Sequence, residues 1–399
     1  MTAHETLLLL DGQTTQALAC ARSLGRAGYR VLVASHRRRP LAAWSRFAHA
    51  VFVLEDQSVP AFAAARAWAA RQGARVVLPL TERSCHLCNV ERGAWENAGV
   101  IVGCGPEEML LHAFDKARTL AAAAACGLHV PPSRSPESLD GYHDAAAALG
   151  FPCVVKPRFS NAWNGVGFLP DRGISYVNDD AALERAVLER RQGDHWPLLQ
   201  AYVPGRGIGV FALCDHGTPR AWFAHERLRD IRPSGSGSSL RRSAPLDPCL
   251  RESTARLLQT LGWHGPAMLE FRQDASGVSW LMEMNGRFWG SLQLAVTAGV
   301  DFPALWLRVL LGQAPRTGHP PAYREGVAVR WLWGDIKRFF HILRGPPRDF
   351  PGRYPTRAEG LRELFGRQPA RTHLETWDKE DPLPAVGEWV QGVRELVGR

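Results

Sequence analysis

Strand-like and helix-like segments alternate through the first hundred residues, and this alternation constrains the fold more than any other feature. Leu7–Leu10 is an unbroken apolar run, and Gln13–Arg26 has helical character with Gly28 as its stop signal. Val31–Ala34 and Val51–Leu54 read as further strands, Ala61–Arg71 as a helix and Arg75–Leu80 as a fourth strand. A helix is expected after Thr81 and a fifth strand at Val100–Val102. Repeated strand–helix–strand units favour a parallel, doubly wound sheet. The first turn, Asp11–Gln16, lacks the glycine pattern of a dinucleotide-binding loop, so a nicotinamide enzyme is disfavoured.

At roughly 100–200 residues per domain, a chain of 399 residues holds two or three. The apolar share of 45% and charged share of 22% are those of a globular protein. No stretch approaches the ~18 consecutive apolar residues of a membrane span, and the start lacks a signal-peptide pattern, so a cytoplasmic location is expected. The net charge of +9 could suit anionic partners, but the longest basic run is Arg37–Arg39. No basic stripe is interleaved with aromatics, so neither nucleic acid nor membrane is expected as a partner. The eight cysteines are scattered, and Cys85–Cys88 has no second pair with which to bind zinc. Only four of the 48 basic residues are lysines, which singles out Lys116 and Lys156 as ammonium groups that arginine does not replace.

Beyond residue 105, Pro106 opens a helix expected to run to about Cys126. A small α/β segment follows, with a helix at Leu139–Leu149, a strand at Cys153–Lys156, a helix at Asp179–Arg191 and a strand at Leu198–Val203. Hairpins are expected over 209–226 and 267–284, and helices over Pro248–Leu261 and Phe302–Leu311. Arg232–Ser239 reads as a Gly/Ser-rich loop, and the tail from Pro315 as an appended subdomain.

The second hairpin carries the chemistry. With a two- or four-residue turn inside Asp274–Gly277, Glu270 opposes Leu281 and Glu283 is its diagonal neighbour. Leu269, Phe271, Trp280, Met282 and Met284 then share the apolar face, while Glu270, Glu283 and Asn285 share the other, with Arg287 just beyond. Two such carboxylates repel unless a cation lies between them, and hard oxygen ligands favour Mg²⁺, which commonly accompanies phosphates. Lys156 ends a buried strand beside the polar segment Ser160–Gly167, a setting suited to phosphate neutralisation. Leu198–Val203 leads into a Pro-Gly turn and could offer backbone groups to a purine.

Lys116 in Phe-Asp-Lys, Lys156 in Val-Val-Lys-Pro, Gln200–Val203, Glu270, and Glu283-Met-Asn285 with Arg287 stand in an order that resembles the ATP-grasp superfamily. The likeness is strongest to ATP-dependent carboxylate–amine ligases related to the carbamoyl-phosphate synthase large chain, and covers about residues 5–315. It implies an N-terminal doubly wound parallel-sheet domain over 1–105, a linker helix and small lid subdomain over 106–195, a C-lobe with the metal site over 196–315, and a C-terminal extension over 316–399. It further implies that Lys116 and Lys156 contact the ATP phosphates, and that the Gln200–Ala201–Tyr202–Val203 segment reads adenine, with Gln200 near its amino group. Glu270, Glu283 and Asn285 would hold two Mg²⁺ ions (or Mn²⁺), Arg287 would face the transferring phosphoryl group, and Arg241 with Ser234–Ser239 would border the acceptor.

The implied reaction is ADP-forming ligation of small carboxylate and amine substrates through an acyl phosphate, with a homodimer among the expected states. Gln200 stands where the family often has Glu, and an acid that usually holds the ribose is missing from Pro204–Val210. These departures motivate a second reading, a nucleotide-binding protein without turnover. A third is a carboxylase or carbamoyl-type enzyme on the same fold. Arg227, Arg229, Arg232, Arg241 and Arg242 suggest an anionic substrate.

Overall fold

The computed structural model describes residues 5–170, 172–313 and 320–397. Five parallel strands form the first sheet: β1 (Thr6–Leu9), β2 (Arg30–Ser35), β3 (Ala48–Val53), β4 (Ala74–Leu78) and β5 (Ile101–Val102), in the order β3-β2-β1-β4-β5. Alternation along β1 explains the double winding. Leu7 and Leu9 pack with Ala17, Cys20 and Leu24 of the helix Thr15–Arg26, whereas Leu8 joins Phe62 and Cys85 on the other face. Threonines start the flanking helices, Thr14 accepting from Ala17 N and Thr81 from Ser84 N. Cys85 and Cys88 are buried thiols on the helix Glu82–Val90.

The single helix expected from Pro106 is two, Glu107–Phe114 and Lys116–Ala125. Asp115 causes the break. Its buried carboxylate caps the second helix through Ala117 N (3.0 Å) and takes the Arg158 guanidinium at 2.7–3.0 Å. Lys116 thus becomes the first residue of a new helix, tied to the segment that follows Lys156.

That segment belongs to a small antiparallel sheet of β6 (Ser133–Arg134), β7 (Cys153–Lys156), β8 (Ser175–Val177) and β9 (Leu198–Ala201), ordered β6-β9-β7-β8. Helices Leu139–Leu149 and Asp180–Arg190 cover one face of it. The third sheet has seven strands: β10 (Arg206–Asp215), β11 (Thr218–Arg232), β12 (Ser236–Ser243), β13 (Gly265–Gln273), β14 (Ser279–Asn285), β15 (Ala328–Arg330) and β16 (Thr372–Leu374). Their order is β14-β13-β10-β11-β12-β15-β16. Half of the expected Gly/Ser loop is therefore strand β12, and only Pro233–Gly235 lies between β11 and β12.

The C-terminal extension is tied into both ends of this framework. It supplies β15 and β16 to the third sheet, and its Asp381 reaches the N-terminal domain. Asp381 accepts from Arg22 Nε (2.9 Å), Ser45 Oγ (2.7 Å) and Arg46 N (2.8 Å), while Arg22 also donates to Thr376 O (2.8 Å). Arg22 and Asp381 are both almost wholly buried. Asp381→Ala leaves that guanidinium charged and unpaired in the interior, at a cost of about 3–5 kcal/mol. Chemical denaturation should show a clear fall in midpoint; a loss near that of a surface ion pair, under about 1 kcal/mol, would contradict the assignment.

Candidate active site

Asp274 sets the geometry of the acidic hairpin. Its carboxylate accepts from Ser276 Oγ (2.6 Å), Trp280 Nε1 (2.7 Å), Val278 N (3.0 Å) and Ser276 N (2.9 Å). These bonds, the Ser276 hydroxyl and the Trp280 indole foremost, hold its pKa down to about 2. The turn so stabilised places Gln273 opposite Ser279, which makes it longer than the spacing suggested. The expected pairing of Glu270 with Leu281 is accordingly replaced. Phe271 pairs with Leu281, a bulge follows, and Glu270 pairs directly with Glu283.

The bulge is decisive. Continued without it, the Phe271–Leu281 register would set Met282 opposite Glu270 and turn Glu283 into the core. With it, Met282 and Glu283 both line the cavity. Trp280 and Met282, expected on the apolar face, therefore lie elsewhere: Trp280 is opposite Arg272, and Leu281 fills the core instead. Leu269, Phe271 and Met284 are buried on the apolar face as expected.

The cavity between the small sheet and the third sheet measures about 710 Å³. It brings together Lys116, Lys156, Gln200, Ala201, Tyr202, Val203, Glu270 and Glu283. Lys116 Nζ donates to Ser160 Oγ (2.9 Å), and Lys156 Nζ to Gln200 Oε1 (2.6 Å). Burial pushes the Lys156 ammonium down to about 8; Glu283 opposes the shift, and Lys116 and Arg272 add to it. The buried Gln200 side chain also donates to Ser133 Oγ (2.9 Å), so it positions Lys156 instead of pointing freely into the cavity. Ala201 N and Tyr202 N donate to the carbonyls of Pro132 and Pro152, while Val203 N has no partner among the described residues.

Glu270 is paired with Arg227, one of the five arginines expected to face an anionic substrate. Burial pushes the Glu270 carboxyl above its usual value against the pull of Arg227, and the neighbouring Glu283 adds to the rise. Gly207 makes the pairing sterically feasible, because a Cβ there would lie 2.6 Å from Arg227 Cδ. Asn285 Nδ2 lies 3.4 Å from Glu283 Oε1. Two facing carboxylates and an amide form a hard oxygen set that fits Mg²⁺.

The two expected catalytic arginines differ. Arg287 follows Asn285, donates to Phe288 O (3.0 Å), and has a buried Nε with no partner among the described residues. Arg241 is not brought to the cavity: it is buried and ion-paired with Glu375 of the extension. Arg229 pairs with Asp335 and Arg242 with Glu226, so of the five expected substrate-facing arginines Arg232 alone lines the cavity.

Ser160–Gly167 docks on the N-terminal domain. Asn161 bonds Glu82 Oε2 (3.0 Å) and Arg83 Nε (2.7 Å), and Trp163 packs on His86 at 5.0 Å. Sequence reasoning missed Tyr176, Arg272 and Met282, and also the extension residues His341, Arg344 and Tyr354. Arg272 carried a signal in its alternation with Glu270; Met282 was set on the other face by alternation, and the last three had no signal, being distant in sequence.

Residues 195–334 match the family described as ATP-grasp in the biosynthetic pathway with Ter operon. The D-alanine–D-alanine ligase of Ectopseudomonas mendocina (strain ymp) is 30% identical over 220 residues, covering 52% of this chain and 67% of that protein. The Stutzerimonas stutzeri (strain A1501) ligase is 29% identical, covering 50% and 64%. This chain thus spans about two thirds of the length of those relatives. Among solved structures, N5-carboxyaminoimidazole synthetase from Staphylococcus aureus complexed with ADP aligns with a TM-score of 0.64 and 15% identity, covering 82% of each chain. Biotin carboxylase from Campylobacter jejuni aligns with a TM-score of 0.65 and 16% identity, covering 82% of this chain and 74% of that one. These two share the fold. With its facing carboxylates and paired lysines around one cavity, the chain belongs to the ATP-grasp superfamily of ADP-forming ligases, which work with ATP and Mg²⁺.

Proposed function

We propose that this chain activates a small carboxylate as an acyl phosphate and joins it to an amine. The observation that carries the reading is the convergence of Lys116, Lys156, Glu270 and Glu283 on one cavity, opposite the unpartnered Val203 N–H. In this reading Lys116 and Lys156 neutralise the ATP phosphates, and Ala201 O with Val203 N reads the adenine edge. Glu270, Glu283 and Asn285 would hold Mg²⁺, which would supply positive charge beside the phosphoryl oxygens. Arg287, with its unpartnered Nε just past Asn285, faces the transferring group. The substrate carboxylate attacks the γ-phosphate, releasing ADP; the amine then displaces phosphate and forms the amide.

The acyl phosphate needs protection from water, and the docked Ser160–Gly167 segment suits a lid. Ser234–Ser239 is a second segment that suits a lid, although its part before β12 is held by Tyr176 OH at Ser234 O (2.9 Å) and by Gly235 N at Arg232 O (2.7 Å). The named activity of the curated relatives makes D-alanine and similar amino acids the first substrates to try. No helix among the described residues is long and apolar enough to cross a membrane. The reading includes a cytoplasmic location and a homodimer. Leu383, Val386, Trp389 and Val393, exposed along one helix, support the latter, and sedimentation of the purified chain tests it.

ADP release over pooled carboxylates and amines tests the activity directly. Turnover that needs both pools supports ligation, nucleotide binding without turnover supports the binding-protein reading, and turnover driven by bicarbonate alone supports the carboxylase reading. Glu283→Gln keeps the volume but removes a charge from the facing pair, and should lower turnover by well over ~10²-fold. Near wild-type ADP formation would remove Glu283 from the metal site.

The Lys156 ammonium is the form that binds phosphate, and it loses its proton as pH rises through about 8. ADP affinity should therefore fall above that pH, approaching tenfold per unit at the limit of one linked proton. Lys156→Met should bind weakly and lose most of this dependence. A wild-type affinity that stays flat across the range, measured by calorimetry, would contradict contact between Lys156 and the nucleotide.

A further inference from the structure

The C-terminal extension reaches the cavity through the segment after its helix Leu332–Arg344. His341, Arg344, Pro347 and Tyr354 line the wall there. Phe350 holds this wall in place, packing edge-on against Tyr176 at 4.9 Å and Tyr202 at 6.3 Å. Asn178 Nδ2 donates to Asp349 O (3.2 Å), and Tyr354 OH to His341 O (3.0 Å). The wall therefore meets the small sheet where Tyr202 and Val203 leave β9, the end opposite the facing carboxylates.

Its charge pattern is distinctive. Around it, Arg227, Arg229, Arg241 and Arg338 are all spent on carboxylates within the protein. Arg344 and Arg232 are exposed at the cavity, and among the described residues neither has a carboxylate partner. Both lie close enough to His341 to help burial hold its pKa below the usual value, so the three groups form one cluster. Arg272, two residues along the strand from Glu270, adds a third guanidinium, bonded among the described residues only to Gly205 O (2.7 Å). A guanidinium presents several fixed donors and pairs best with phosphate or carboxylate oxygens. A cavity with carboxylates on one wall and these arginines on another calls for a ligand whose anionic oxygens also face the extension.

We propose that the C-terminal extension completes the nucleotide site, with Arg344 and Arg232 donating to the α-phosphate oxygens of the bound nucleotide. This rests on the reading of the cavity as an ATP site. Arg344 comes from outside the matched segment 195–334, so nucleotide affinity in this chain depends on a part of the sequence that the family model does not cover.

Calorimetric titration of the full chain with ADP, AMP and adenosine tests the assignment. Arg344→Gln should weaken ADP and AMP by about tenfold, the loss of one charge-assisted contact, and leave adenosine unchanged. Arg232→Gln should do the same from β11, outside the extension, and decides the matter if Arg344→Gln lowers thermal stability. ADP and AMP affinities equal to wild type in both variants would overturn the proposal, as would an equal loss for adenosine, which would mark a packing role. A wild-type chain that binds no adenine nucleotide would overturn the ATP reading and this proposal together; wild-type ADP binding that neither variant changes would overturn this proposal alone.

Discussion

Two carboxylates face each other across a single rung of the β13–β14 ladder, and the surroundings are organised by the need to offset that repulsion. Glu270 and Glu283 share one face of a sheet whose other face is apolar core. Like charges directly opposed on a strand pair destabilise it unless cations compensate. Arg227 supplies one from β11, across the space left by Gly207, and the Lys156 ammonium feels both acids from the facing sheet. The compensation is incomplete, since Glu270 keeps a raised pKa. Such a site gains from a divalent cation and from the anionic ligand that accompanies it.

The opposite wall is organised by buried polar side chains. Asp115 divides what would be one helix and holds Arg158, which anchors the stretch between Lys156 and Ser160. Lys116 is thereby set against Ser160 at a helix start, and Gln200 sets Lys156 from the neighbouring strand. Gln200 is a neutral acceptor in a cationic pocket. It leaves Lys156 without the direct ion pair that a carboxylate at this position would form.

The extension shows how a segment that carries little motif of its own can take a place in a site. Its strands prolong the third sheet, Glu375 binds Arg241 in the interior, and Asp381 ties it to Arg22 and Ser45 of the N-terminal domain. These buried contacts fix the path of residues 341–354 over the cavity. They also account for Arg241, which pattern alone assigned to substrate and which the structure spends on internal neutralisation.

What could be read in the residues was local and periodic. Continuous apolar runs and well-capped helices determined the doubly wound first domain, because burial on both faces leaves few alternatives for Leu7–Leu10 or Val31–Ala34. The spacing of Glu270, Glu283 and Asn285 placed them on one polar face, and the two isolated lysines stood out by residue type. Register was beyond reach. The hydrogen bonds of Asp274 fix the turn, and the bulge at Met282, seen only in the folded hairpin, is what brings Glu283 to Glu270. The expectation for Glu283 was right in face and wrong in partner, because turn length and bulge are set by three-dimensional contacts and not by alternation. The partners of Arg227, Arg241 and Arg344 were equally invisible, since an arginine's role depends on which carboxylate the fold brings to it, and those carboxylates lie on other strands or in the extension.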